Sequence, residues 1–299
     1  MTLFVILLLT LSAFIHAGWN FICKKNEISI AHFLRALLSA YILILPFLFF
    51  FRGFFPLYPL SFWGMIVGTG FFMALYHSSL AATYRHGDMS LGYPMIRALP
   101  VLIIPAITIF FRFGKVPSFS ALFGMGCVAI GCFILPGLNH RLNKKSFLWI
   151  GYAVLAAIGT AGYTIIDDRA LALIGETPGI ILSPAKRSLC YMPLEFLSGC
   201  IWLFFFALCI PQERKILFTK PFFIKEEIFM GIAIYFAYIL VLASMPLVTN
   251  VSYVAAYRQL SIPIGVWLGI MVLKEKSSKS KILGTLLLLF GLLVIALRS

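Results

Sequence analysis

Apolar runs of roughly 20 residues alternate along the chain with short polar gaps, and that length lets a helix cross about 30 Å of hydrocarbon at 1.5 Å per residue. Ten such runs are bounded by charges or by Pro/Gly clusters, at 2–22, 30–51, 60–84, 90–111, 118–137, 147–167, 187–210, 227–246, 250–273 and 280–298. The more polar gaps run from His140 to Ser146, from Arg169 to Lys186 and from Gln212 to Glu227. The pattern predicts an all-α polytopic membrane protein with ten transmembrane helices, and it leaves no stretch for a soluble catalytic domain.

The two halves of this pattern resemble each other. Ala13-Phe-Ile-His-Ala-Gly-Trp-Asn-Phe-Ile-Cys-Lys-Lys25 aligns without gaps on Ala157-Ile-Gly-Thr-Ala-Gly-Tyr-Thr-Ile-Ile-Asp-Asp-Arg169, pairing the first run with the sixth. Tyr93-Pro-Met-Ile-Arg97 matches Val254-Ala-Ala-Tyr-Arg258, and Gly124 and Gly131 recur at the same spacing as Gly284 and Gly291. Runs four and five therefore pair with nine and ten. Two repeats are predicted, 1–140 and 141–299, forming one integral transport domain. With an odd number of helices in each, they enter the membrane in opposite senses, an arrangement that places substrate sites near midplane in many secondary transporters.

Composition supports the membrane class. Hydrophobic residues make up 62% of the 299 and charged residues 11%, against about 25% charged in soluble domains. A net charge of +14 suggests nucleic acid, but the basic residues sit in the short gaps and not along one face, so they read as topogenic loop charges and no nucleic-acid partner is expected. The six cysteines lie in or beside apolar runs without a CxxC or a histidine at metal-ligand spacing, which argues against a disulfide framework or a metal site. The first run lacks a basic segment before it and reads as a retained helix. Without a Walker loop, HExxH or Gly-x-Ser-x-Gly, neither an ATP-driven pump nor an enzyme is expected, and no cofactor is implied.

At this point the residues resemble a known family. Ten runs in two five-helix repeats, ending in Leu273-Lys-Glu275 and Gly284-Thr-Leu-Leu-Leu-Leu-Phe-Gly291, are similar to the EamA family of the drug/metabolite transporter superfamily over nearly the whole chain. His16-Ala-Gly-Trp-Asn20, Gly87-Asp-Met-Ser-Leu-Gly-Tyr-Pro-Met-Ile-Arg97, Tyr163-Thr-Ile-Ile-Asp167 and Tyr257-Arg-Gln-Leu-Ser261 resemble a subgroup associated with phosphonate-utilisation genes. The resemblance implies a secondary transporter of the cytoplasmic (inner) membrane working by alternating access. The family's Gly-Glu pair before the last helix is here Lys274-Glu275, and the first repeat has Phe113-Gly-Lys115 without an acid, so that glutamate is given no transport role. The family is drawn with both termini in the cytoplasm. That topology leaves seven basic residues on the terminal side (Arg52, Arg112, Lys115, Arg169, Lys186, Arg187 and Arg298) and twice as many opposite, against the positive-inside rule. The orientation and a homodimer both stay open.

An ionisable side chain at the centre of a spanning helix costs about 2.5–3.5 kcal/mol, which marks such residues as functional candidates. Arg97 and Arg258 occupy matching positions beside residues that loosen a helix (Pro94 and Pro100; Ser261 and Pro263). Facing one cavity, their guanidinium forks would favour a carboxylate, phosphate or phosphonate. The competing reading is that each arginine neutralises Asp88, Asp167 or Glu195, or caps a carbonyl beside proline. His16, Trp19 and Asn20 share a helical face, as do their counterparts Thr160, Tyr163 and Thr164. With Tyr93 and Tyr257 from the arginine motifs, they are candidate contacts for an organic solute, although Thr160 and Thr164 suit helix–helix packing better. Glu195 is a candidate for proton coupling, with an ion pair to Arg35 as the alternative. Asp167 is a second candidate, expected at a helix end. His77 is expected to be a packed or snorkelling residue and not a ligand.

The cargo expected is a small organic anion or zwitterion such as an amino acid or phosphonate, with membrane lipid as surroundings. The alternative is a flippase of lipid or lipid-linked headgroups.

Overall fold

The computed structural model describes residues 1–23, 29–86, 89–135, 144–219, 224–274 and 278–298. These residues form helices and connecting turns, with no strand among them. In chain order the α-helices are α1 (Leu3–Cys23), α2 (Ile30–Phe51), α3 (Leu60–His86), α4 (Met89–Phe110), α5 (Phe119–Ile134), α6 (Lys144–Glu176), α7 (Pro184–Cys209), α8 (Pro211–Thr219), α9 (Lys225–Ser244), α10 (Ser252–Tyr257), α11 (Ser261–Leu273) and α12 (Lys279–Arg298).

Local chemistry sets several of the starts. Ser29 and Ser118 cap α2 and α5 by accepting from the backbone N–H of His32 and Ala121, each at 3.3 Å, which satisfies amides that a helix N-terminus leaves free. Pro184 stands at the first turn of α7, where its fixed φ fits and its missing N–H is not needed.

Eight helical stretches are long and apolar enough to cross a membrane: Leu3–Asn20, Ile30–Leu57, Leu60–Arg85, Phe147–Glu176, Pro184–Cys209, Lys225–Leu247, Ser252–Val272 and Lys279–Leu297. Two shorter apolar helices, Pro94–Phe110 and Phe119–Ile134, accompany them. Large apolar side chains such as Phe50, Leu60, Phe110, Phe119 and Trp267 stand exposed on the outside. A surface of that kind suits lipid and not water. The protein is a multi-pass α-helical membrane protein.

Three features depart from the sequence pattern. The sixth run was bounded at 167 by Asp167, Asp168 and Arg169, yet α6 continues to Glu176. Ala170, Leu171 and Ile174 are fully buried there, and their packing outweighs the local charge. Asp167 therefore lies inside the helix and not at its end. The polar gap after 210 contains the short helix α8, whose Glu213 and Leu217 are buried. The ninth run is broken, with a 3-10 turn at Arg258–Leu260 between α10 and α11. By contrast α4 remains continuous through Pro94, Pro100 and Pro105.

The helices pack in recurring partnerships: α3 with α6 and α1 with α9, α3 with α7 and α2 with α9, α4 with α6 and α11 with α1, then α2 with α7 and α5 with α12. Glycines permit the closest of these approaches. A Cβ on Gly231 would stand 1.8 Å from the carbonyl oxygen of Ala36, and one on Gly70 would meet Ser198 Oγ at 2.1 Å. In the α5–α12 crossing a Cβ on Gly124 would lie 2.8 Å from Gly291 O, and one on Gly131 would lie 2.7 Å from Gly284 O.

Polar contacts tie the bundle at its two ends. At the end formed by the N-termini of α2 and α9, Glu213 of α8 accepts from the Ala31 amide at 3.1 Å and pairs with Arg85. Beside it Arg35 pairs with Glu227 (Nη2 to Oε1, 2.7 Å) and donates to the Ile216 carbonyl at 3.3 Å. At the opposite end of α9, the amide of Asn250 donates to the carbonyls of Phe113 and Lys115, both at 3.1 Å. The Lys115 amide donates to Thr249 O at 2.9 Å. Gly114, at φ +75°, allows this approach, since its Cβ would fall 2.6 Å from that same oxygen.

Candidate functional site

Between these tied ends lies a cavity lined by Ser12, His16 and Trp19 of α1, Leu37 of α2, Met73, Tyr76 and His77 of α3, and Tyr163 of α6. Phe196 of α7, Ile234, Ala237 and Tyr238 of α9, and Arg258 at the break after α10 complete it. Its non-atom space is about 490 Å³ with the open mouth counted, and the enclosed part holds only a few water molecules.

Arg258 is the cationic group of this lining. Its guanidinium lies 5.4 Å from the ring centroid of Tyr238 and its Nη2 is 3.5 Å from the Tyr163 hydroxyl. The aromatic wall is continuous, with ring centroids 5.9 Å apart for Tyr76 and Tyr163 and 5.7 Å for Tyr163 and Tyr238, each pair edge to face. The negative faces of such rings hold a cation in place while its N–H groups stay available to an anion.

His16 adds a second donor. The indole N–H of Trp19 donates to His16 Nδ1 at 3.3 Å, so Nδ1 is the acceptor of a neutral imidazole and Nε2 carries the hydrogen. That Nε2 is buried without a hydrogen-bond partner. A buried orphan donor is destabilising unless a ligand or water completes it. Together the Nε2–H of His16 and the guanidinium of Arg258 suit a hydrogen-bond acceptor with negative charge.

Arg97 is close enough to act on His16 but is not part of the lining. Its Nη2 donates to the Arg258 carbonyl at 3.0 Å and to Ser261 Oγ at 2.6 Å. The arginine of the first half thus caps the broken helix of the second and holds the backbone from which Arg258 projects. Both arginines act on His16, and of the two it is Arg258 that belongs to the cavity lining.

The other residues singled out in the sequence divide in the same way. The amide of Asn20 donates to the His16 carbonyl on its own helix at 2.8 Å, and Thr160 donates to Ala156 O at 3.1 Å. Tyr257 is half-buried and packs between the apolar clusters. Tyr93 belongs to α4, and its side chain falls outside the described residues, as do Asp88 and Glu275. Arg35 pairs with Glu227, not with Glu195.

Beside the cavity is a buried acid cluster. Asp167 accepts from Thr69 at 2.5 Å on Oδ1, from Tyr191 at 2.7 Å on the same oxygen, and from Tyr238 on Oδ2. Glu195 is fully buried, and no hydroxyl or N–H group of another residue donates to its oxygens; its hydrogen-bond partner is the Asp167 carboxyl, and Arg258 is the nearby cation that acts on it. Tyr238 joins the cluster to the cavity.

No family model matches this chain, and no curated protein does either. Among solved structures, a crystal structure of a protein aligns over 98% of this chain and 97% of its own, with a TM-score of 0.69 and 14% identity. The two share a fold, and at that identity nothing further passes between them.

Sequence reasoning missed Tyr238, Tyr76, Thr69 and Tyr191, and it read His77 as packing. The Nδ1–H of His77 donates to Met73 O at 2.9 Å, and the ring also lines the cavity. One signal was available. Gly70 precedes His77 by seven residues, and Gly231 precedes Tyr238 by the same step; each glycine sets a close crossing and each ring then reaches the cavity two turns later.

Proposed function

We propose that the chain is a secondary carrier of a small organic anion or zwitterion, an amino acid, a phosphonate or a related metabolite, in the cytoplasmic membrane. The observation that carries this reading is the aromatic cavity inside a membrane bundle, with Arg258 and the unpartnered Nε2 of His16 in its wall. A cation and an orphan donor inside a hydrocarbon-spanning bundle are expensive to keep unless they meet a ligand. The drug/metabolite transporter architecture of the EamA type fits, with 1–140 and 141–299 as inverted repeats. Exchanging α1 with α6, α2 with α7, α3 with α9, α4 with α10–α11 and α5 with α12 maps the helix partnerships onto themselves, as a two-fold relation between the halves requires, and the odd helix count per half suits an axis in the membrane plane. The crossing of Gly124 and Gly131 on Gly291 and Gly284 supports the same axis.

The enclosed space admits only a few waters, so an organic solute enters when the halves part, first at one tied end and then at the other. The test is counterflow in proteoliposomes with amino acids, phosphonates and sugar phosphates as the panel. Exchange of at least one of them, lost in Arg258→Gln, is the expected result. An Arg258→Gln protein that exchanges normally removes the anion site, and no exchange for any member removes the carrier.

A further inference from the structure

We propose that Asp167 and Glu195 form a proton-binding pair that takes up one more proton when an anion occupies Arg258, so that the solute crosses together with a proton. This inference rests on the carrier reading above and supplies its energy source.

The two carboxyl groups share a fully buried layer but have unequal surroundings. Asp167 receives hydroxyl donors from three helices, Thr69 of α3, Tyr191 of α7 and Tyr238 of α9. Donors converging on a carboxylate favour its charged form. Glu195 receives no hydroxyl or N–H donor and lies in hydrogen-bond contact with Asp167 itself; two buried carboxyls in contact do not both ionise, so Glu195 keeps its proton and donates it to Asp167. Environments that push two acids apart in this way assign their roles, and the proton count belongs to the pair.

Charge balance links the pair to the cavity. Arg258 and Arg97 are the cations that act on the cavity, Asp168 and Arg169 balance each other beside Asp167, and the positive charge of Arg258 favours one ionised carboxyl in the acid pair. An anion seated on Arg258 offsets that positive charge and repels the ionised carboxyl in a low-dielectric interior, which favours a proton added to Asp167. Tyr238 provides the connection, since its ring lies under the guanidinium, 5.4 Å from Arg258 Cζ, and its hydroxyl donates to Asp167. In the transfer, that hydroxyl gives its proton to Asp167 Oδ2 and takes one from a hydronium ion that has entered the cavity, which leaves as water. The other titratable or charged groups around the site are Tyr191 of α7, Tyr163, Asp168 and Arg169 of α6, His16 of α1, Tyr76 and His77 of α3, and Arg97 of α4. Arg35 of α2 is engaged by Glu227 at the helix N-terminus. The unpartnered Nε2 of His16, which belongs to neither acid, independently points to an acceptor-bearing ligand in the same cavity.

Linkage makes the coupling reciprocal: the anion promotes proton uptake, and a fall in pH raises anion affinity. The full chain is reconstituted in liposomes with a pH-sensitive dye inside and the same solute panel outside. Uptake is expected to acidify the interior, and Asp167→Asn is expected to abolish both that signal and the pH dependence of uptake. Uptake by the native chain at constant internal pH overturns the proton pair and leaves the carrier standing. Failure of every solute overturns the carrier, and the pair is then decided by infrared spectroscopy at neutral pH. A carboxylic-acid carbonyl band present in the native chain and removed by Glu195→Gln supports the pair. Absence of that band in the native chain overturns it.

Discussion

Arg97 and Arg258 come from matching sequence positions and do different work. The first donates to the backbone carbonyl of the second at 3.0 Å, while the second points into the cavity. Arg97→Met should therefore act through stability, lowering it by about 1.5–3 kcal/mol, the range for hydrogen bonds to charged groups. Thermal unfolding in detergent measures this, and Arg97→Lys should recover part of the loss. Glu227 offers a sharper case, because Glu227→Gln leaves Arg35 buried beside an uncharged partner; breaking a buried pair costs about 3–5 kcal/mol. Equal melting of that variant and the native chain would show the pair to be dispensable.

Among the elements, the α5–α12 crossing depends on the absence of side chains. Gly131→Val forces a Cβ to within 2.7 Å of the Gly284 carbonyl, and overpacking of this kind costs roughly 1–3 kcal/mol. The separation of α5 from α12 is read as a lower melting temperature, and Gly126→Val, where nothing lies within 4 Å of an added Cβ, serves as the control. The short helix α8 illustrates a different dependence. Nothing in Pro211–Thr219 marks it as part of a membrane bundle, yet Glu213 pins the start of α2 and the end of α3 together. Glu213→Gln should loosen that end, measured as faster thiol labelling of an Ile216→Cys probe than in the Glu213 background.

At the scale of the whole molecule, the two tied ends lie at opposite ends of α9, with the cavity between them. Alternating access requires that they open in turn. Thiol probes at Ile216 and at Val248 should therefore change reactivity in opposite directions when a transported solute is added. Parallel changes at both positions would speak for a pore and against a carrier.

Apolar run length by itself determined the membrane class and the approximate place of the helices, because the hydrocarbon thickness constrains every spanning segment in the same way. The repeat of Gly124/Gly131 at Gly284/Gly291 was also legible, and the structure brings those four residues into one crossing. His16, Trp19, Tyr163 and Arg258, which line the cavity, stand out in the sequence because polarity inside an apolar run is conspicuous. Only the tertiary structure decided that Arg97 caps a backbone, that Asp167 lies deep in a longer α6, that Arg35 belongs to Glu227, and that Tyr238 joins the acids to the cavity. Periodicity assigns a residue to a helix face, whereas its partner is chosen by how distant helices cross, and that geometry comes from close packing at the glycines.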